Sequence, residues 1–384
     1  MAGSKKVLLL GAGFVTKPTV QILSNADIEV TVGLSKTETP SGSCTDKSAA
    51  CRTPENSKNL SQGIKNAHPI SLDVTNAAAL DAAVEKVDVV VSSIPYTFHA
   101  TVIKSAIRKK KNVVTSYVSP AMLELESKVK EAGITVMNEI GLDPGIDHLY
   151  AVKTIGQVIT SFLFYCGGLP APEASDNPLG YKFSWSSRVV LLALTNTAKY
   201  YKDGKIEEVA GPELMGTAKP YFIYPATSGK ESDIEWAISS KTKFADNDEK
   251  NRIFAGLPWI GMFSEDKITP RGTPLDTLCT TLEQKIQYGS GERDLVTLQH
   301  KFEIEHKDGR KETRTSTLVD YGDHNGYSSM AKLVGAPCEI AVKQVLDGTI
   351  SEKGILAPMS PKTNNPLIEE LKKYGIELKE QTLA

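Results

Sequence analysis

The sequence predicts an α/β protein, a doubly wound parallel sheet followed by a second α+β domain with a mixed sheet. Three observations carry this. Short apolar runs alternate with amphipathic stretches through the first third of the chain. One run, VDVVVSS (87–93), is apolar almost throughout, as a strand buried on both faces must be. After Gly145 the alternation stops, and Tyr, Trp, Gly and Pro become frequent.

The elements follow in order. KKVLLL (5–10) is a β-rich run ending at glycine, and Phe14–Ser24 carries helical spacing. IEVTV (28–32) and HPISLDV (68–74) are further strands, and Asn76–Glu85 is an Ala-rich helix. After VDVVVSS come a helix over Thr97–Lys110, a strand NVVT (112–115), a helix over Pro120–Ala132 and a strand ITVMN (134–138). Repeated β-α-β units with buried strands require parallel pairing and helices on both faces. Further on, LVTLQHKFEIEHKDGRKETRTSTLVDYG (295–322) alternates on either side of Asp-Gly, which predicts a β-hairpin. GYSSMAKLVGAPCEIAVKQVLDG (326–348) reads as one amphipathic helix or a pair. The expected domains are 1–147 for the parallel sheet, 148–325 for the α+β domain, and 326–384 as a segment returning to the first.

Length and composition set the outer limits. A chain of 384 residues has room for two cores, and 40% hydrophobic with 23% charged residues is ordinary for a globular protein. A net charge of −2 gives no electrostatic case for nucleic acid or an anionic membrane. The basic run Arg108–Lys111 fits the cationic end of a helix. Five scattered cysteines (Cys44, Cys51, Cys166, Cys279 and Cys338) form no CxxC, which argues against a zinc site or a disulfide framework. No run reaches the roughly twenty apolar residues of a membrane span, and glycines break the apolar run after the N-terminal lysines, so no signal peptide is expected. The expected location is cytoplasmic.

The chemistry begins at LLLGAGFVTK. Gly11-Ala12-Gly13 falls between the first strand and the first helix, where backbone must approach a pyrophosphate closely and helix N–H groups face the anion. In this position the pattern marks a Rossmann dinucleotide site. The usual third glycine is Thr16. An NAD site wants an acid at the end of the second strand, and none stands after Val32; an NADP site wants arginine, and Arg52 is the next cation. Arg52 reaches that place only if the residues between loop out. Ligands lie beyond the carboxyl ends of parallel strands, so Asp73-Val74, Ser93-Ile94-Pro95, Thr115-Ser116-Tyr117 and Glu139–Asp147 should line the cleft. Glu139, Asp143, Asp147 and His148 crowd together in ITVMNEIGLDPGIDHLYA, a turn built by Asp-Pro-Gly with Asp147 capping the next helix. Their spacing fits no strong metal pattern.

Several long blocks are specific: GAGFVTKPT, SLDVT, IPYTFHATVIKSAI, MNEIGLDPGIDHLYAVKTI, YCGGLPAPEASDNPLGYKFSWSSR, TAKPYFIYP, ITPRGTPLDTLC and GYSSMAKLVG. Through them the chain resembles the fungal saccharopine reductases, the NADP-dependent, glutamate-forming saccharopine dehydrogenases. The resemblance implies a homodimeric enzyme of lysine synthesis through α-aminoadipate. L-2-aminoadipate 6-semialdehyde condenses with L-glutamate, and NADPH reduces the imine to saccharopine. It implies nucleotide contacts at Ala12, Gly13, Phe14, Val15, Cys51, Arg52, Thr53, Asp73, Ile94, Leu142, Asp143, Pro144 and Ser186, beside Gly11. Thr115 and Ser116 would touch saccharopine. Asp143 is the expected proton shuttle, since imine formation and reduction both move protons at one nitrogen; Tyr117 and Cys166 come second.

The chain also departs from that family. Gly33–Ala49, rich in Gly, Pro, Ser and Thr, interrupts VTV and ACRT and reads like an intron translated in frame. After Pro225 several dozen family residues are missing, among them an arginine that grips substrate. A shorter loss falls between Ile155 and Phe162, and one residue is missing beside Thr115-Ser116. Arg188 and Arg271 could hold a carboxylate or make structural ion pairs. Two other expectations follow: a catalytically impaired nucleotide-binding homologue, or a related carbon–nitrogen dehydrogenase.

Overall fold

The computed structural model describes residues 5–383 apart from 12, 14, 35–53, 156–158, 218–245, 262–263, 269 and 271–272. Ala12, Phe14, Cys51, Arg52, Thr53 and Arg271, almost all of the 33–49 segment and the Pro225 junction lie outside the described residues. Two compact units result: Met1–Gly168 with Arg293–Ala384, and Leu169–Glu292.

In the first unit, β1 (Lys6–Leu10), β2 (Glu29–Leu34), β3 (Ala67–Ser71), β4 (Val89–Ser92), β5 (Asn112–Thr115) and β6 (Thr135–Met137) join β12 (Gly354–Leu356) in one sheet. The order is β12-β6-β5-β4-β1-β2-β3, and every neighbouring pair is parallel. Strand side chains alternate between faces, so Val7, Leu9, Val89 and Val91 enter one core while Leu8, Leu10 and Val90 enter the other. That is why these runs are apolar at every position.

Helices cover both faces. α1 (Lys17–Asn25), α2 (Pro54–Ser61), α3 (Ala77–Val84) and α4 (His99–Lys109) follow the first four strands. Asn76 caps α3 through Ala79 N. α4 starts after a 3-10 turn at Tyr96–Phe98 and ends at a left-handed Lys110. Its basic end is used against α3, with Arg108 2.7 Å from Asp81 and Lys109 3.1 Å from Glu85. The stretch expected as one helix over 120–132 divides into α5 (Pro120–Leu123) and α6 (Glu126–Ala132). Leu125 N bonds Met122 O across three residues, and Met122, Leu125 and Val129 are all buried in the same core. α7 (Ile146–Ile155) follows β6.

The 295–322 hairpin forms as β10 (Asp294–Glu305) and β11 (Lys311–Tyr321), with Gly309 at φ +80° in the turn. They share a four-stranded sheet with β7 (Ile159–Pro170) and β13 (Lys379–Thr382), in the order β13-β11-β10-β7. The tail forms a single helix, α12 (Ser329–Asp347), followed by α13 (Pro361–Lys373). α12 crosses α1 at Gly335, where an added Cβ would lie 2.8 Å from Pro18 Cβ; Thr19 Oγ1 donates to Gly335 O at 3.1 Å. Met330, Leu333, Ile340, Leu367 and Leu371 thereby belong to the core of Val7 and Leu9.

The second unit is built from α8 (Ser187–Ala193), a hairpin of β8 (Ala198–Lys202) and β9 (Lys205–Val209), α9 (Gly211–Thr217), α10 (Asn247–Ile260) and α11 (Pro274–Glu283). Asp203 and Gly204 both take positive φ, the turn a tight two-residue hairpin requires. Its described buried side chains include Ala174, Phe254, Cys279, Leu282 and Ile286. Among the described residues no helix is long and apolar enough to cross a membrane.

Candidate active site

The sheet's strand order turns back between β1 and β4, which is where such folds bind ligands. Gly11 leaves β1 at φ +118°, and a Cβ there would fall 2.5 Å from Ser93 O. Gly11 N donates to Gly33 O at 3.1 Å and Ser93 N to Leu10 O at 2.8 Å, so the turn is closed from both neighbouring strands. Only glycine fits. Gly13 is the opposite case: a Cβ there would meet nothing within 4 Å, which leaves open space over the backbone. Thr16 begins α1 without a side-chain cap, its hydroxyl donating instead to Gly13 O at 2.9 Å. Thr16 thus gives the start of α1 no side-chain acceptor, and the amides there, Pro18 having none, stay open to an anion such as a pyrophosphate. These residues fit a dinucleotide.

The remaining strand ends differ in how much of each side chain is still available. Val15 is half-buried against the core of α1. Asp73 uses one oxygen on Thr75, accepting from its N at 2.8 Å and its Oγ1 at 2.7 Å. Ile94 is buried in the α3–α4 core. Thr115 is also buried, its hydroxyl 2.8 Å from Asn138 Oδ1 and 3.2 Å from Tyr117 O. Ser116 is half-buried, and Tyr117 stands exposed against Tyr96, their ring centroids 5.6 Å apart.

Past β6 the chain makes the acidic turn. Leu142 bridges Gly145 around a cis Asp143–Pro144 bond, and a Cβ on Gly145 would sit 2.1 Å from Gly141 O. Asp147 Oδ1 accepts from Gly145 N at 2.6 Å in the first turn of α7. The Asp143 residue is exposed to solvent. Desolvation there, with repulsion from Asp147, pushes its carboxyl up to about 6 against the opposing pull of His148 and a hydrogen bond with the Cys166 thiol. The Cys166 thiol is pushed up in turn, by desolvation first and then by the Asp143 and Asp147 charges. Burial also raises Glu139 and Asp147, and His148 pulls both back. His148 Nδ1 lies 3.6 Å from Asp147 Oδ1 and 3.8 Å from Glu139 Oε2.

One neighbour of this cluster is absent from the sequence reading. His300 of β10 is fully buried among Phe162, Phe164 and Phe302, with neither ring nitrogen hydrogen-bonded. Burial, followed by the charge of His148, lowers it to about 4. The signal was there, because His300 occupies an inward position of the alternation Val296, Leu298, His300, Phe302. In the second unit Ser186 opens α8, its carbonyl accepting from Val189 N and Val190 N at 3.1 Å. Arg188 pairs with Asp276 at 2.8 Å, the structural of its two expected roles. Among the described residues no group of three or more His, Cys, Asp or Glu could hold a metal.

A glycine turn at the reversal point of a parallel sheet, leading to an uncapped helix, defines the class: a dinucleotide-dependent oxidoreductase. The comparisons give the family. Residues 7–137 match the saccharopine dehydrogenase NADP binding domain and residues 141–376 the saccharopine dehydrogenase C-terminal domain. The chain belongs to the saccharopine dehydrogenase family. It is 54% identical to the saccharopine dehydrogenase (NADP(+), L-glutamate-forming) of Pyricularia oryzae, over 465 positions covering 99% of this chain and 100% of that one. The protein of the same name from Saccharomyces cerevisiae is 50% identical over 462 positions, with the same coverage. The solved apo saccharopine dehydrogenase (L-Glu forming) of Saccharomyces cerevisiae superposes with a TM-score of 0.82 at 49% identity, covering 99% of this chain and 100% of that one. Both alignments are longer than the 384 residues here, so these relatives hold stretches this chain lacks.

Proposed function

We propose that this chain reduces the imine formed from L-2-aminoadipate 6-semialdehyde and L-glutamate to saccharopine, and catalyses the reverse oxidation, as a step of lysine biosynthesis. The observation that carries this is identity of 50–54% across 99% of the chain to enzymes so named. The competing expectation of an impaired homologue finds no support there. NADPH, when bound, supplies the hydride.

The chain's own residues do the rest. Gly11 and Gly13 clear the backbone for the pyrophosphate, with Ala12, Phe14 and Val15 beside them, and Cys51-Arg52-Thr53 take the 2′-phosphate side. Asp73, Ile94, Leu142, Pro144 and Ser186 complete the nucleotide contacts, and Thr115 and Ser116 meet saccharopine. Asp143, titrating at about 6, holds a proton in part of the molecules at neutral pH and gives it up in the rest. A carboxyl so poised can donate to the departing carbinolamine oxygen and accept from the amine. The protein acts as a cytoplasmic homodimer.

The test is reduction of NADP+ by saccharopine on the purified chain, with NAD+ in parallel. Turnover with NADP+ preferred is expected. A folded chain that binds NADPH and oxidises no saccharopine would overturn the reading.

A further inference from the structure

Asn138 is fully buried directly after β6. The β5–β6 ladder ends at Val114–Met137 and the β12–β6 ladder at Leu356–Met137, so Asn138 falls one residue past both. There its side chain takes over from the backbone ladder. Asn138 Nδ2 donates to Leu356 O at 3.2 Å and to Val136 O at 3.4 Å, and Oδ1 accepts from Thr115 Oγ1 at 2.8 Å. The partners dictate which way the amide points. Carbonyl oxygens only accept, so they claim the NH2 group, and the hydroxyl gives its single hydrogen to Oδ1. Thr115 is thereby held by its side chain to Asn138 and by its backbone to Ile140, whose N donates to Thr115 O at 3.1 Å. Thr115 is buried, Ser116 half-buried and Tyr117 exposed, so the anchor lies at the inner end of an increasingly open segment.

We propose that Asn138 is a positioning residue for saccharopine binding: through Thr115 it fixes the 115–117 strand end against β6 and β12. The proposal rests on the reading of Thr115 and Ser116 as the residues that meet saccharopine. Without Asn138 Oδ1, the Thr115 hydrogen passes to Tyr117 O, 3.2 Å away. A tie between strands then becomes a bond within one segment.

In Asn138→Leu, kcat/KM for saccharopine oxidation should fall about tenfold, chiefly through KM, the scale of one lost hydrogen bond. Thr115→Val removes the same bond from its other end. Because Asn138 acts through Thr115, adding Asn138→Leu to Thr115→Val should cost less than about a further twofold. A role in packing alone would give Asn138→Leu the same loss in both backgrounds. That result overturns the proposal, as does an unaltered kcat/KM in Asn138→Leu. Asn138→Ala, which adds no new atoms to the core, carries the same cycle if Asn138→Leu does not fold. Hydrogen–deuterium exchange of the full chain reads the anchor without turnover. Peptides spanning 112–118 should exchange about fivefold faster in the Asn138 variant, with β1 unaltered. Unaltered exchange over 112–118 overturns the proposal. Absence of saccharopine oxidation in the wild-type chain would instead overturn the functional reading, and the exchange would still decide what Asn138 holds.

Discussion

The two units bury their side chains by different means. In the parallel-sheet unit, Val7, Leu8, Leu9 and Leu10 are all fully buried, so two cores share one strand. In the 169–292 unit, Tyr201 and Ile206 of the β8–β9 hairpin are each 75% exposed, and Lys182 is buried between Asp176 at 2.8 Å and Glu292 at 2.7 Å. The first unit is held by apolar area and glycine-sized clearances, where one added atom matters. The second also has tight glycine positions, at Gly211 and Gly256, but its β8–β9 hairpin is exposed and joined by a surface Lys199–Glu208 pair that contributes little. Chemistry that needs fixed geometry belongs in the first.

The largest effect expected from this contrast is at Gly11. Gly11→Ala places a Cβ 2.5 Å from Ser93 O at φ +118°, and steric and backbone strain together should cost about 4 kcal/mol. Chemical denaturation and NADPH titration would both register it. A loss below about 1 kcal/mol would mean that the strand ends yield more than close packing allows.

Next is His300, a titratable group inside an aromatic cluster. Its folded-state value is about 4 against an ordinary 6.5, so the unfolded chain binds the proton more readily and stability falls as pH drops from 6.5 towards 4. The full excursion is worth about 3 kcal/mol. His300→Phe should remove that slope, and denaturation midpoints at pH 7 and pH 4.5 would reveal it. Parallel slopes in the two proteins would exclude His300 as their source.

Asp143→Asn tests chemistry without disturbing the cores. Saccharopine oxidation should fall by roughly ten- to a hundredfold, near the lower end for general acid–base groups, because solvent reaches this carboxyl and can stand in for it. NADPH affinity measured in parallel reports the share of the loss that comes from Asp143 as a nucleotide contact. The smallest effect is expected in the second unit. Arg188→Ala breaks an ion pair whose arginine side chain is 52% exposed, and should cost under about 1 kcal/mol with turnover intact. A large loss of turnover there would give Arg188 a carboxylate-binding role and blur the contrast between the units.

The same contrast explains what was legible in the sequence. Strands apolar at every position, such as 89–91, announce themselves, as does a glycine turn between a strand and a helix. The 112–115 strand appears with both ends as read. The elements that were not foreseen lack such a signature. β12 is three residues long and contributes Gly354-Ile355-Leu356 through pairing with β6 alone, and β13 is exposed along its length. Their places are set by partners distant in the chain. The split at Leu125 was hidden because helical periodicity continues across it. Within the candidate site, the acidic turn was visible as a cluster of carboxyl groups. Its pairing with Cys166 and its proximity to His300 depend on strands 20 to 150 residues away, which no local pattern encodes.

The crossing of α12 over α1 at Gly335 carries a consequence for synthesis of the chain. Helix α1 is packed by residues more than 300 positions later, and the core of Val7 and Leu9 is completed by α13 at Leu367 and Leu371. A ribosome making this protein therefore releases almost the entire chain before its first-made strand has a finished interior. Until then the apolar faces of the N-terminal strands lack the partners that cover them in the finished fold.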